Sequence, residues 1–265
     1  MTLVIGFMSK EGFSVVADTR FGSNRLIVAE AGPKVFSVPI ILNIWQDGRE
    51  SLKRHLPNMG FAFAGNTFAG QSTHAVASTY LQNLLVEAFD EGPTVHEVAE
   101  LYARCAKLVV DERRRWQRTD IHLFEAIVFG RSEPSAKSQA FALFVSIGED
   151  AGAAVTVEEV AADSLLFVTL GDGDEQVKAQ VEAGLKNNEP ILPWDVLQAV
   201  IIDQQVATVG GSMQVAVSTA SGVELRPVFT LASDGVRDLN ILGFGLTEIG
   251  LMGRYFPAGT HAAIG

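Results

Sequence analysis

The first twenty residues constrain this chain more than any other part of it. Residues 2–8 and 13–17 are short, β-branched, apolar runs separated by Ser9-Lys10-Glu11-Gly12, which predicts a hairpin with a glycine-containing turn. The runs are nearly continuous in apolar character instead of alternating, so both strands are expected to be buried on both faces. Asp18-Thr19-Arg20 then ends the greasy stretch abruptly. Polar groups that close a buried strand need partners or a chemical role.

Further along, residues 25–29 and 34–38 predict a second hairpin around Gly32-Pro33. Residues 40–59 carry charges from Asp47 to His55 and read as an insertion or a short surface helix. A strand over 60–64 leads through Gly65-Asn66 into a helix over 67–89, with Val76, Tyr80, Leu84 and Ala88 on one stripe. Thr94 and Glu97 form a capping box. Val95, Val98, Tyr102, Cys105 and Val109 then mark an amphipathic helix that ends in Arg113-Arg114-Arg115, where cations meet the negative end of the helix dipole. Strands are expected at 125–130, 139–147 and 165–170, helices at 174–185 and 194–205, and a closing hairpin at 213–219 and 223–229. Hairpin-sized gaps between strands favour an antiparallel α+β fold over a doubly wound parallel sheet. The tail, 231–265, is glycine-rich and aperiodic.

The formal charge of −11 opposes binding to duplex nucleic acid or to an anionic membrane surface. A lone cysteine, Cys105, excludes an intramolecular disulfide and a multi-cysteine zinc site. No run approaches the ~20 apolar residues that cross a bilayer, and the N-terminus lacks a signal-peptide pattern, so a cytoplasmic protein is expected. Familiar motifs fail. His96-Glu97 is followed by Glu100 where a zinc-protease helix needs histidine. Gly171-Asp172-Gly173-Asp174 lacks the third glycine of a dinucleotide fingerprint and the later ligands of a calcium loop.

One constellation survives. Thr2 follows Met1, and removal of the methionine would free a threonine amine. Such a residue is nucleophile and base in one: the hydroxyl attacks, and the α-amine, with a pKa near ~8, takes the proton. Asp18 closes the second strand, and Lys34, held beside a threonine hydroxyl, would lower its pKa. The spacing of Thr2, Asp18-Thr19-Arg20 and Lys34 resembles the β-type subunits of the proteasome family, including the simpler bacterial ring peptidases. Gly60-Phe61-Ala62-Phe63-Ala64-Gly65, Leu170-Gly171-Asp172-Gly173 and Gly210-Gly211 fall where that family has an Ala-Gly strand end, a Gly-Ser-Gly turn and a late Gly-Gly.

The resemblance covers roughly 2–36 and 60–229. It implies an α+β, four-layer αββα sandwich of the N-terminal-nucleophile hydrolase class. The whole chain would be one such domain, with an insertion at about 40–59 and a C-terminal extension at about 231–265. It implies a threonine peptidase in which Thr2 attacks, Lys34 depresses the hydroxyl pKa, Asp18 orients Lys34 and the Gly65 N–H stabilises the oxyanion. Phe21, Gly32, Phe36, Phe63 and Thr67 would line an apolar specificity pocket, with ordinary core packing the competing reading for the phenylalanines. Asp172 replaces the family's serine near the nucleophile amine, and Val206 and Val209 replace two further polar residues, with Asp203 and Thr208 nearby but out of register. No metal or cofactor is implied. The implied partners are further copies in stacked rings, a peptide or unfolded-protein substrate, and room for an ATP-dependent unfoldase. The alternatives are a small-molecule amidase with the same nucleophile and a non-catalytic scaffold subunit.

Overall fold

The computed structural model describes residues 2–23, 26–46, 49–86, 92–116, 123–148, 152–161, 168–187, 192–231, 237–250, 252 and 263–264. The chain opens with β1 (Leu3–Met8), β2 (Phe13–Asp18), β3 (Phe21–Ser23) and β4 (Leu26–Ala29). Next come two long strands, β5 (Val35–Gln46) and β6 (Arg49–Gly65), then α1 (Thr67–Leu81), β7 (Leu84–Val86) and α2 (Val95–Trp116). Strands β8 (Phe124–Gly130), β9 (Gln139–Ile147), β10 (Ala153–Glu159) and β11 (Val168–Gly171) precede α3 (Asp174–Asn187) and α4 (Pro193–Asp203). The chain continues through β12 (Met213–Thr219), β13 (Gly222–Arg226), β14 (Val228–Leu231), β15 (Arg237–Ile241), β16 (Phe244–Gly245), α5 (Leu246–Ile249) and β17 (Ala263–Ile264).

The architecture corrects the four-layer αββα sandwich expected from the sequence. The protein is mostly β, built on a large curled mixed sheet. Its path runs β10-β9-β8-β6-β13-β12-β2-β1-β11, with β5 and β7 branching from β6. The physical reason is the junction between the two limbs. Gly222 on β13 pairs in parallel with Asn58 on β6. A Cβ at Gly222, whose φ is +120°, would lie 2.6 Å from the Asn58 nitrogen, so only glycine lets the strands meet there.

Three apolar clusters follow from this curl. Helices α1 and α2 pack over Val38, Phe61, Phe63, Phe124 and Val128 on one limb. Leu3, Ile5, Val16, Leu197, Val200 and Val215 form a second cluster under α4. Val4, Val15, Ala17, Ala62, Ala64, Ile127 and Ala216 fill the space enclosed by the curl. Alternate residues of β1 and β2 therefore enter different clusters, and both strands are buried on both faces, as their unbroken apolar pattern requires.

Several local expectations change. Residues 35–46 and 49–65 form a long antiparallel ladder, not the short surface helix weighed for 40–59. Strand β4 pairs with β3, so the expected hairpin about Gly32-Pro33 does not form. The stripe expected on α1 faces outward: Val76 and Tyr80 are exposed, and Ala69, Gly70, Thr73, Ala77 and Leu81 are buried instead. Small residues win that face because α1 lies close to the sheet. A Cβ on Gly70 would sit 2.4 Å from the Phe63 ring. Leu84 belongs to a strand, and residues 87–89 of the expected helix lie outside the described residues, as do 165–167 of the strand expected at 165–170. The capping box forms as read: the Thr94 N–H donates to Glu97 Oε2 at 2.8 Å, and the Glu97 N–H donates to Thr94 Oγ1 at 3.2 Å. Among the described residues, no helix is long and apolar enough to cross a membrane.

Candidate active site

The end of β2 and the start of β5 place Asp18 and Lys34 side by side. Both are fully buried, with Lys34 Nζ 3.0 Å from Asp18 Oδ1. Four donors converge on the Asp18 carboxylate. Oδ1 accepts from the Leu3 N–H at 3.0 Å and from Lys34, and Oδ2 accepts from the N–H groups of Arg20 and Gly210, each at 3.1 Å. Lys34 also donates to the Arg20 carbonyl. Burial pushes the Lys34 ammonium down to about 8, against the pull of the Asp18 charge. Burial pushes the Asp18 carboxyl up, and the Lys34 charge and the Leu3 and Gly210 amides draw it back.

Thr2 is buried, one residue before Leu3, whose N–H reaches Asp18. The Thr2 carbonyl accepts from the Asp172 N–H at 2.9 Å. The turn after β11 reaches it because Gly171 and Gly173 adopt φ of +84° and +99°. A Cβ on Gly171 would lie 1.9 Å from the Thr2 oxygen and 2.8 Å from the Ala64 Cβ. Thr2, Ala64 and the 171–173 turn are thus one contact group, with Gly65, at φ +105°, following directly on Ala64. The Asp172 carboxylate accepts from Thr208 Oγ1 at 2.5 Å. The residue out of register in sequence therefore supplies the partner that Val206 and Val209 cannot.

The expected pocket residues divide. Phe21 covers Gly32, where a Cβ would lie 2.1 Å from the ring, and Lys34 Nζ stands 5.3 Å from the Phe21 ring centroid. Phe36 and Phe63 instead stack on each other with Phe61 and His74, in the core beneath α1. His74 Nδ1 lies 3.0 Å from the Tyr102 hydroxyl, and burial pushes its pKa down to about 4. Thr67 opens α1, capped by Asn66 through the Ala69 N–H.

Two residues escaped the sequence reading. Gln214, fully buried on β12, accepts from the N–H groups of Lys34 (3.0 Å) and Val35 (3.3 Å). Its amide donates to the carbonyls of Asp18 (3.1 Å) and Gly32 (2.9 Å). Glu125 on β8 accepts from the Gly171 N–H at 2.8 Å. A polar residue inside an apolar strand was the available signal for both, and neither lies in a recognisable motif. Arg20 reinforces the rim, binding Glu30 with two nitrogens and the carbonyls of Ala207 and Val209 with a third. Among the described residues, no group of three His, Cys, Asp or Glu is placed to hold a metal ion.

No protein-family model matches the chain, and no curated protein matches it. Among solved structures, it is similar to Anbu (Gly-1) mutant from Hyphomicrobium sp. strain MC1. The TM-score is 0.54 and the identity 14%, over 84% of this chain and 85% of that one. The shared property is the fold. This finding corrects the recognition made from sequence: no comparison identifies the chain as a proteasome β-subunit, and a likeness at 14% identity carries the fold and no family.

Proposed function

We propose that the protein hydrolyses amide bonds of peptide substrates in the cytoplasm, with Thr2 as nucleophile once its amine is freed of Met1. One observation carries the reading: the Leu3 N–H and Lys34 Nζ meet on a single oxygen of buried Asp18, which holds the amine of Lys34 against the peptide that follows Thr2. A lysine held down to about 8 exchanges its proton near neutrality, as a partner of a hydroxyl nucleophile must. In the proposed cycle Thr2 Oγ1 bonds to the substrate carbonyl carbon and its proton passes to the α-amine. The carbonyl oxygen takes the negative charge at the Gly65 N–H. The C–N bond then breaks, the departing amine takes the proton, and water hydrolyses the acyl-threonine ester. Phe21 and Gly32, beside Lys34, favour an apolar side chain next to the scissile bond.

Assembly of copies into closed rings belongs to the same proposal. The exposed Phe68, Val76, Leu108 and Trp116 along α1 and α2 favour association.

The test is intact mass after purification, followed by incubation with a β-lactone and with apolar peptide amides. A chain lighter by one methionine that gains one acyl group at Thr2 and cleaves peptides supports the reading. Retained Met1, or labelling unchanged in Thr2→Ala, sinks it.

A further inference from the structure

Glu125 occupies an unusual place for a carboxylate. On β8 it shares a face with Ile127 and Phe129, both fully buried, and it pairs in register with Ala64 of β6. Glu125 itself is half-buried at the end of that face, where its carboxylate reaches the backbone of β11. Its Oε2 accepts the Gly171 N–H at 2.8 Å, and the next amide in the chain, that of Asp172, donates to the Thr2 carbonyl at 2.9 Å. Two successive N–H groups of one turn are therefore taken, one by Glu125 and one by Thr2. The turn has no slack, because Gly171 sits at φ +84° with no room for a Cβ against the Thr2 oxygen.

We propose that Glu125 is a positioning residue for Thr2: its carboxylate anchors the Gly171–Asp172 turn that fixes the Thr2 carbonyl and carries the Asp172 side chain. The proposal rests on the reading of Thr2 as nucleophile. Glu125 does not touch the reacting atoms. It acts through its hydrogen bond to the Gly171 amide, and an amide oxygen of similar reach can replace it.

The experiment compares wild type, Glu125→Ala and Glu125→Gln in β-lactone acylation of Thr2, with the limiting rate separated from the half-saturating concentration. Glu125→Ala is expected to slow the limiting rate about 10- to 100-fold and to leave half-saturation within about 3-fold, as for a misplaced reacting group. Glu125→Gln is expected to recover to within about 3-fold of wild type, because the acceptor is kept. An unchanged rate in Glu125→Ala overturns the proposal. A Glu125→Gln variant as slow as Glu125→Ala also overturns it, because the charge would then matter beyond anchoring. Should wild type itself fail to label, the Thr2 reading falls, and amide hydrogen exchange at Gly171 decides the anchoring separately. Exchange faster by about 10-fold or more in Glu125→Ala and restored in Glu125→Gln supports the anchor, and unchanged exchange refutes it.

Discussion

Replacing Asp18 by asparagine changes one atom and tests the whole site. Each oxygen of the carboxylate is occupied by donors: Leu3 and Lys34 on Oδ1, Arg20 and Gly210 on Oδ2. Whichever way the asparagine amide turns, its NH2 faces an N–H group. With the amide nitrogen on the Oδ2 side, the Arg20 N–H keeps the Gly210 carbonyl at 3.0 Å, but the Gly210 N–H loses its acceptor. An orphaned buried donor costs about 1–3 kcal/mol. Lys34 also loses its counter-charge, and breaking a buried pair from one side costs about 3–5 kcal/mol. Part of that cost is avoided if Lys34 sheds its proton, which gives a total near 4 kcal/mol at neutral pH, of order the 5–15 kcal/mol that holds a typical protein folded.

The pH dependence has a definite sign. Lys34 is already held down to about 8 from 10.5, and without Asp18 it titrates lower still. Between the folded and unfolded values the unfolded chain binds more protons, so stability rises with pH there. In the variant that window opens at lower pH. The gap to wild type is therefore wider at about pH 6 than above about pH 8, where it narrows to the cost of the orphaned amide. Urea titrations at both pH values measure it. With a slope of about 2–3 kcal/mol per molar, the midpoint should fall by roughly 1.5 M at neutral pH. A loss below about 1 kcal/mol, or a gap that widens with pH, would refute the reasoning.

Two further outcomes follow from the same neighbourhood. Gln214→Leu keeps the volume but removes four hydrogen bonds that tie β12 to the ends of β2 and β5, and should cost about 2–4 kcal/mol by chemical denaturation. Gly171→Ala forces a Cβ to within 1.9 Å of the Thr2 carbonyl at a φ of +84°; differential scanning should show a melting temperature several degrees lower, and acylation of Thr2 should be lost.

The polar pair at the heart of the site was legible only through the resemblance that the spacing of Thr2, Asp18 and Lys34 carries. Asp18 ends β2 and Lys34 precedes β5, with two strands between them, so no local pattern pairs them. The α2 cap was legible for a simpler reason, since Thr94 and Glu97 lie within one turn. Gln214 was not. It meets Lys34 across 180 residues, and its one signal was a polar side chain inside an apolar strand. Phe36 and Phe63 carried two readings, pocket lining and core packing. Their positions matched a pocket pattern, but close packing against Gly70 and stacking on His74 bind both rings into the core.

What the chain's linear order determined is the buried strands β1, β2, β8, β9 and β12 and the capped helix α2. Both depend on periodicity or on neighbours a few residues apart, which hydrophobic burial and backbone hydrogen bonding read directly. The tertiary structure alone decided that the sheet runs continuously through Gly222 and Asn58, that α1 buries its small residues, and that Thr208, Gln214 and Glu125 serve the site. Those outcomes depend on which strands lie side by side, and a missing Cβ at a crossing or a partner on a distant strand has no trace in local pattern.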